Sequence, residues 1–426
     1  GVVFKRAYVT APVCSVSRSA LITGMYQTSI GAHNHRSSRG PNKIYLPEHI
    51  KTIPEYFREA GYYVSNQYLQ GDNDWSRKGK EDYNFVYDFD DLYDGVGWKD
   101  RKEGQPFFAQ IQLRGGKRRN VQLSTMVDPD DVVLPAHYPN DPVLRKDWAQ
   151  YLNTIKNVDN QVGVIFERLK KENLLENTVV FFITDHGISH ARGKQFCYEE
   201  GAHIPMIVWG NEFVGKGVRE DLVSHIDLAA TSLYLAGIDI PDYMQSRPLL
   251  GEDAQPREFV VTARDRCDET VDHIRSVRKG DYLYIKNYLH KRPLLQPNAY
   301  KDHKEIIIRL RELHKEGKLN SLQERLLFSD ERPYEELYNV ALDKNQYINL
   351  ATDENMQEQL REMRIILNDW EINTNDKGRT TESPEVYASE MKAVIESVEG
   401  NTRIPNRAKI LRKNVKLMKK WAAEGK

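Results

Sequence analysis

The chain has 426 residues, 61 of them basic and 62 acidic, for a net charge of −1. That length supports a large core and a second, smaller domain, and the balanced charge gives no bulk reason to expect nucleic acid or an acidic membrane as partner. Three cysteines (Cys14, Cys197 and Cys267) are no disulfide framework in a chain this long, and no stretch reaches the ~20 apolar residues of a membrane span.

Residues 1–250 read as alternating strands and helices. Thr52–Ala60 predicts a short helix stopped by Gly61. Phe107–Leu113, Val179–Thr184 and Ile204–Trp209 are apolar runs of strand length, which suggest a sheet covered on both faces. Asp141-Pro142 is a helix start, followed by Trp148, Tyr151, Leu152, Ile155, Val158 and Val162 at helical spacing. The texture changes near 248–256. Phe259–Val261, Ile274–Val277 and Tyr282–Ile285 then read as short strands of a small antiparallel sheet. Met356–Trp370 predicts an amphipathic helix, and the last ~40 residues an extended, charged helical tail. The expected fold is α/β: a large mixed sheet sandwiched by helices over 1–250, a smaller antiparallel-sheet subdomain over 251–372, and a tail over 373–426.

Two motifs carry chemistry. Cys14-Ser-Val-Ser-Arg18 places a thiol just before a short helix that Ser15 or Ser17 can cap. A helix N-terminus and the Arg18 fork suit an oxyanion. A buried structural cysteine fits the same residues about as well. Thr184-Asp185-His186-Gly187 follows a predicted strand, where open α/β sheets bind ligands, and Asp and His can both ligate a metal. An ordinary strand-to-loop turn also fits. Lys194 follows, in a loop where most lysines are simply solvated.

Taken together, these motifs resemble those of the type I sulfatases, in the alkaline phosphatase superfamily. The family's Cys-x-Pro-Ser-Arg-x-x-x-Leu-Thr-Gly pattern reads here as Cys14-Ser-Val16-Ser17-Arg18-Ser-Ala-Leu21-Ile-Thr23-Gly24. Asp185-His186-Gly187, Gly193-Lys194, Tyr198-Glu199 and Pro205 follow in the family's order, as do Asp227–Thr231, Glu336–Asn339 and Asn349–Ala351. Arg264–Arg266, Asp268-Glu269 and Ile274–Arg278 resemble the heparan N-sulfatase-like branch.

The resemblance implies an alkaline phosphatase-like catalytic domain that hydrolyses sulfate esters or N-sulfates of a sulfated saccharide. Cys14 would be oxidised to formylglycine by a maturation enzyme, with Val16 standing where that enzyme usually meets Pro. Cys14, Asp185 and His186 would hold a metal, normally Ca2+, with Mn2+ or Zn2+ as softer alternatives. Arg18, Lys80, Lys194 and His203 are the other catalytic candidates. Lys80 lies in Gly-Lys-x-Asp82, where relatives carry His at the last position. Lys117, His190 and His203 compete for the leaving-group acid. His33, His35, Lys117, Arg264, Arg266, Asp268 and Glu269 are expected to bind substrate. The family's first strand, with its paired Asp ligands, is expected before Phe4. Location is expected to be periplasmic or secreted, with no nucleic-acid or membrane partner. A phosphodiesterase or phosphonate hydrolase of the same superfamily, or a non-catalytic saccharide-binding paralogue, is the alternative.

Overall fold

The computed structural model describes residues 1–70, 74–113, 115–116, 121–210, 214–400 and 406–426. Its strands, in chain order, are β1 (Val2–Tyr8), β2 (Tyr63–Gln70), β3 (Asp74–Lys78), β4 (Phe107–Gln112), β5 (Val180–Ile183), β6 (His203–Trp209), β7 (Gly217–Ser224), β8 (Phe259–Arg264), β9 (Ile274–Lys279), β10 (Tyr282–Asn287) and β11 (Glu335–Asn339). They form three ladders, in the orders β5-β6-β1-β7, β3-β2-β4 and β11-β10-β9-β8. This is a mixed α/β fold with a separate antiparallel sheet of four strands.

The first ladder decides where the chemistry sits. β1 and β5 both pair antiparallel with β6, so they run in the same direction. Their C-terminal ends therefore lie on one edge of the sheet, and the segments leaving them carry Cys14 and Asp185. In β2-β4, which pair in parallel, Gln112 closes the end of β4.

The expected double covering does not form around β1 and β6. Val2, Phe4, Ile204, Met206 and Val208 are buried, whereas Val3 and Ile207 alternate with them and face solvent. A ladder with antiparallel pairs tolerates one open face. Burying each large side chain of the covered face contributes roughly 1.5–3 kcal/mol.

Thr52 caps the helix Ile53–Glu59 in a capping box with Glu55. Asp141 caps the helix Pro142–Lys171, accepting from Val143 N at 2.9 Å. That helix buries Leu144, Ala149, Asn153, Thr154, Gln161, Ile165 and Leu169; Ile155 is exposed, so the buried stripe is rotated from the expected one.

The predicted antiparallel sheet forms as β8-β9-β10 and gains β11, a segment read in the sequence only as a motif. The tail is not an extended arm. Its helices Pro384–Val398 and Arg407–Ala423 pack on each other and, through Tyr387, Met391, Met418 and Val415, on Val271. None of the described helices is long and apolar enough to cross a membrane.

Candidate active site

The helix Cys14–Thr23 is buried on nearly every side, Arg18 and Leu21 excepted. Its polar residues are tolerated because each finds a partner. Ser19 Oγ donates to Ser15 O at 2.7 Å and accepts from Asn84 N at 2.9 Å. Thr23 Oγ1 donates to Ser19 O at 2.9 Å. Ser15 Oγ accepts from Arg36 N at 3.1 Å, and Ser17 Oγ meets His225 Nε2 at 3.0 Å. Neither serine caps the helix as expected. Cys14 is its first residue, Val13 stands at the cap position, and no side chain caps it. The first turn thus presents its N–H groups and the positive end of the helix dipole at Cys14.

Around Cys14 three groups converge. Lys194 Nζ donates to Cys14 Sγ at 2.9 Å, and His186 Nε2 lies 3.5 Å from the same sulfur. His186 Nδ1 meets Gly187 O at 2.7 Å, so it carries the proton and turns the Nε2 lone pair inward. Asp185 Oδ1 is 3.6 Å from His186 Nε2, and Asp185 Oδ2 accepts from Arg18 Nε at 3.0 Å. Arg18 is held in turn by Gln112 Oε1 at 3.0 Å and Lys80 O at 3.1 Å. Cys14 and Lys194 are buried, whereas the Arg18 and Asp185 side chains are each 22% exposed, so the site opens on their side.

Gly187 and Gly193 make this loop possible. A side chain at Gly187 would meet Glu200 O at 2.0 Å, and one at Gly193 would meet Ile188 O at 1.9 Å. Lys194 N donates to that same Ile188 carbonyl at 2.6 Å, which fixes the lysine's aim. Burial works to lower the Lys194 pKa, but the Cys14 thiolate and the Tyr300 phenol outweigh it and leave the ammonium above its ordinary value.

The residues fit a divalent ion: one donor atom each from Cys14, Asp185 and His186 lies within 4.8 Å of the others. The Cys14 sulfur stands where the oxygens of a formylglycine hydrate would be. The carboxylate and hydrate oxygens suit calcium, and the imidazole shifts the set toward manganese or zinc.

Two residues not matched to the motif border this site. His35 Nδ1 pairs with Asp268 Oδ1 at 3.2 Å and lies 3.9 Å from the Cys267 sulfur. Burial would lower His35, but Asp268 and the Cys267 thiol override it and hold the imidazole well above its usual range. Burial would raise Asp268, and His35, Arg36 and Lys194 together hold it well below the usual carboxylate range. His33 is pushed down to about 4 by burial, with the Arg275 guanidinium nearby.

Several expected site residues serve other purposes. Arg264 pairs with buried Asp272 at 3.1 Å. Arg266 is bound by Glu382 at 2.7 Å and by the Asp268 carbonyl at 3.0 Å. Glu269 accepts from Ala299 N at 2.6 Å and from Asn414 at 2.7 Å. Arg264 and Arg266 are paired because a buried charge must be, and Glu269 is held by hydrogen bonds from neutral groups; only Asp268 of the cluster reaches the site. Lys80 offers Arg18 its carbonyl, while its ammonium pairs with Asp82 at 2.5 Å. His203 is exposed, stacks on Tyr8 and meets Lys5 O at 2.7 Å. His190 is buried against Asp147 at 2.9 Å. Lys117 lies outside the described residues.

The sequence reading missed Gln112, which orients Arg18, and Tyr300, whose ring carries Lys194 Nζ at 4.4 Å on its way to Cys14. It also missed Lys304, 4.7 Å from the same ring and 2.7 Å from Ser189 O. No local pattern marks any of them.

The chain matches the sulfatase family over residues 1–238. It also matches the C-terminal region of N-sulphoglucosamine sulphohydrolase over residues 186–308. It is 30% identical to an ulvan-active sulfatase of Formosa agariphila, across 90% of this chain and 71% of that one. Human N-sulphoglucosamine sulphohydrolase is 24% identical, across 88% and 83%. Among solved structures, a 2-O GAG sulfatase superposes with a TM-score of 0.59 at 20% identity, covering 91% of this chain and 88% of that one. A phosphonate monoester hydrolase from Silicibacter pomeroyi gives 0.60 at 17%, covering 88% and 89%. At such identities both speak to fold alone. The chain therefore belongs to the sulfatase family of sulfuric ester hydrolases.

Proposed function

We propose that this chain hydrolyses sulfate esters or N-sulfates of a sulfated saccharide, with a formylglycine formed from Cys14 as nucleophile. The observation that carries the reading is the Lys194 ammonium 2.9 Å from Cys14, at an uncapped helix N-terminus beside Asp185 and His186. A sugar substrate is supported by human N-sulphoglucosamine sulphohydrolase and by a relative of the same fold solved with its substrate D-glucosamine-2-N,6-O-disulfate.

Formylglycine, as its hydrate, supplies one hydroxyl to attack sulfur and a second to expel sulfate afterwards. A divalent ion at Cys14, Asp185 and His186, calcium by preference, supplies Lewis acidity toward a sulfate oxygen. Lys194 brings a fixed positive charge to the position where negative charge grows at residue 14. Arg18 holds Asp185 in place and adds a donor fork at the open side. His35, held by Asp268, stands as the proton carrier beside residue 14, in place of His203 or His190. The maturation enzyme is the implied partner, and a periplasmic or secreted location suits both enzyme and substrate. Residues 1–250 form the catalytic domain on this reading, with 251–372 and the tail closing over it.

The test is mass spectrometry of the Cys14 peptide from a maturation-competent host, alongside hydrolysis of sulfated glucosamine and an aryl sulfate. Conversion of Cys14 with sulfate release, and loss of ~10³-fold or more in Cys14→Ala, is expected. A fully converted protein that cleaves phosphonate esters but no sulfate overturns it.

A further inference from the structure

The tail holds a feature that hydrolysis of a small ester does not use. Residues 406–426 contain eight Lys or Arg and one acid, Glu424, in a chain whose net charge is −1. The helix Arg407–Ala423 sorts them by face. Leu411, Asn414 and Met418, at i, i+3 and i+7, are buried. Lys409, Lys413, Lys416 and Lys420, at i, i+4, i+7 and i+11, are exposed on the opposite side. At 1.5 Å per residue they make a straight stripe about 16 Å long. Exposed Arg412 and Lys419 flank it.

Intramolecular neutralisation is slight. Lys420 has Glu424 at 3.7 Å, both largely exposed, and Arg412 pairs with Glu399. Lys409, Lys413, Lys416 and Lys419 have no acidic partner among the described residues. Four parallel ammoniums on one helix face repel each other, and isolated like charges at i,i+4 cost helix stability. A polyanion lying along the stripe removes that repulsion and releases its own counterions.

The stripe is also tied to the active-site region. Asn414, on the buried face, donates to Glu269 at 2.7 Å. Glu269 adjoins Asp268, the partner of His35. The helix therefore rests on the loop that borders Cys14, with its lysines facing outward.

We infer that the Lys409–Lys413–Lys416–Lys420 face is a docking surface for a strand of sulfated polysaccharide, one that holds a polymer while an ester is cut at Cys14. The inference rests on the sulfated-saccharide reading above and adds that the substrate is a polymer. The contacts are electrostatic, so the site reads anionic charge at helical spacing rather than one sugar.

The test separates docking from turnover. Heparin serves as probe, with hyaluronan, duplex DNA and phosphatidylserine vesicles as comparators. The Cys14→Ala protein measures binding without reaction. Its quadruple variant Lys409→Gln/Lys413→Gln/Lys416→Gln/Lys420→Gln should bind heparin at least ten-fold more weakly at 0.1 M salt. The slope of log Kd against log salt should fall by about three, near 0.7–0.9 per neutralised anionic group. In the Cys14-bearing protein, the same four changes should raise KM on polymer and leave aryl sulfate turnover within two-fold. The four lysines are exposed, so the fold tolerates these changes, and an unchanged melting temperature verifies that. Equal heparin binding by both proteins overturns the inference, as does tighter binding to DNA or vesicles than to heparin. Docking that persists while no sulfate ester is cleaved overturns the proposed activity instead and leaves the stripe standing.

Discussion

Lys194→Met isolates the charge at the centre of the site. Methionine fills nearly the same buried volume and removes the ammonium 2.9 Å from position 14. At that distance and an effective dielectric of about 20, two unit charges interact by about 6 kcal/mol. Only the part that grows in the transition state affects kcat, and deleting one such donor elsewhere costs about 2.7–4 kcal/mol. Lys194→Met should therefore lower kcat on an aryl sulfate by about 10²–10³-fold, with KM little changed. A variant whose KM rises while kcat stays near wild type would refute the reasoning, because the lysine would then bind ground state and transition state alike.

Asp185→Asn should cost at least ~10²-fold in turnover and raise the calcium needed for half-maximal activity; chelator-treated wild type that keeps full activity would end the metal assignment. Arg275 is fully buried, with Asp376 at 2.7 Å and Asp265 at 3.1 Å, so Arg275→Met strands the Asp376 carboxylate and should destabilise by about 3–5 kcal/mol in urea unfolding. A loss below about 1 kcal/mol would contradict that. Burial, then the Asp268 charge, pushes Glu269 up to about 7. Folding therefore takes up a proton at Glu269 above the unfolded carboxylate range, and this group's contribution declines as pH rises through about 7. Glu269→Gln should flatten the fall in melting temperature between pH 5 and pH 8, and an unaltered fall would count against the assignment.

What the sequence revealed was local. Cys14 and Arg18 share one helix turn, and Asp185 and His186 are adjacent just past a predicted strand, so each pair is a compact motif that the family resemblance could pick out. Strand direction in the ladder then brings the pairs together. Partnerships across long separations stayed hidden. Arg266 and Glu269 look like a functional charge cluster until Glu382, 116 residues away, and Asn414, 145 away, are found to hold them. Ser15 and Ser17 looked like caps because a serine beside a helix start usually is one; here Arg36 N and His225 claim them instead. The tail looked like an arm because the buried stripe of its last helix has only two large apolar residues, Leu411 and Met418, with an asparagine between them.

Asp268 and Glu269 show how one loop gives neighbouring carboxylates opposite characters. Both are buried, and burial favours a proton on each. Asp268 faces His35 and Arg36 and stays ionised. Glu269 meets the neutral amide of Asn414 on the tail and the backbone N–H of Ala299, and it holds its proton up to about 7. A cationic partner on the tail would have ionised Glu269, placing two adjacent buried charges beside Cys14. Asparagine at position 414 keeps a second full charge off the loop and leaves Asp268 as the ionised carboxylate that faces His35. The helix that carries the lysines outward is thus neutral where it meets the active-site loop.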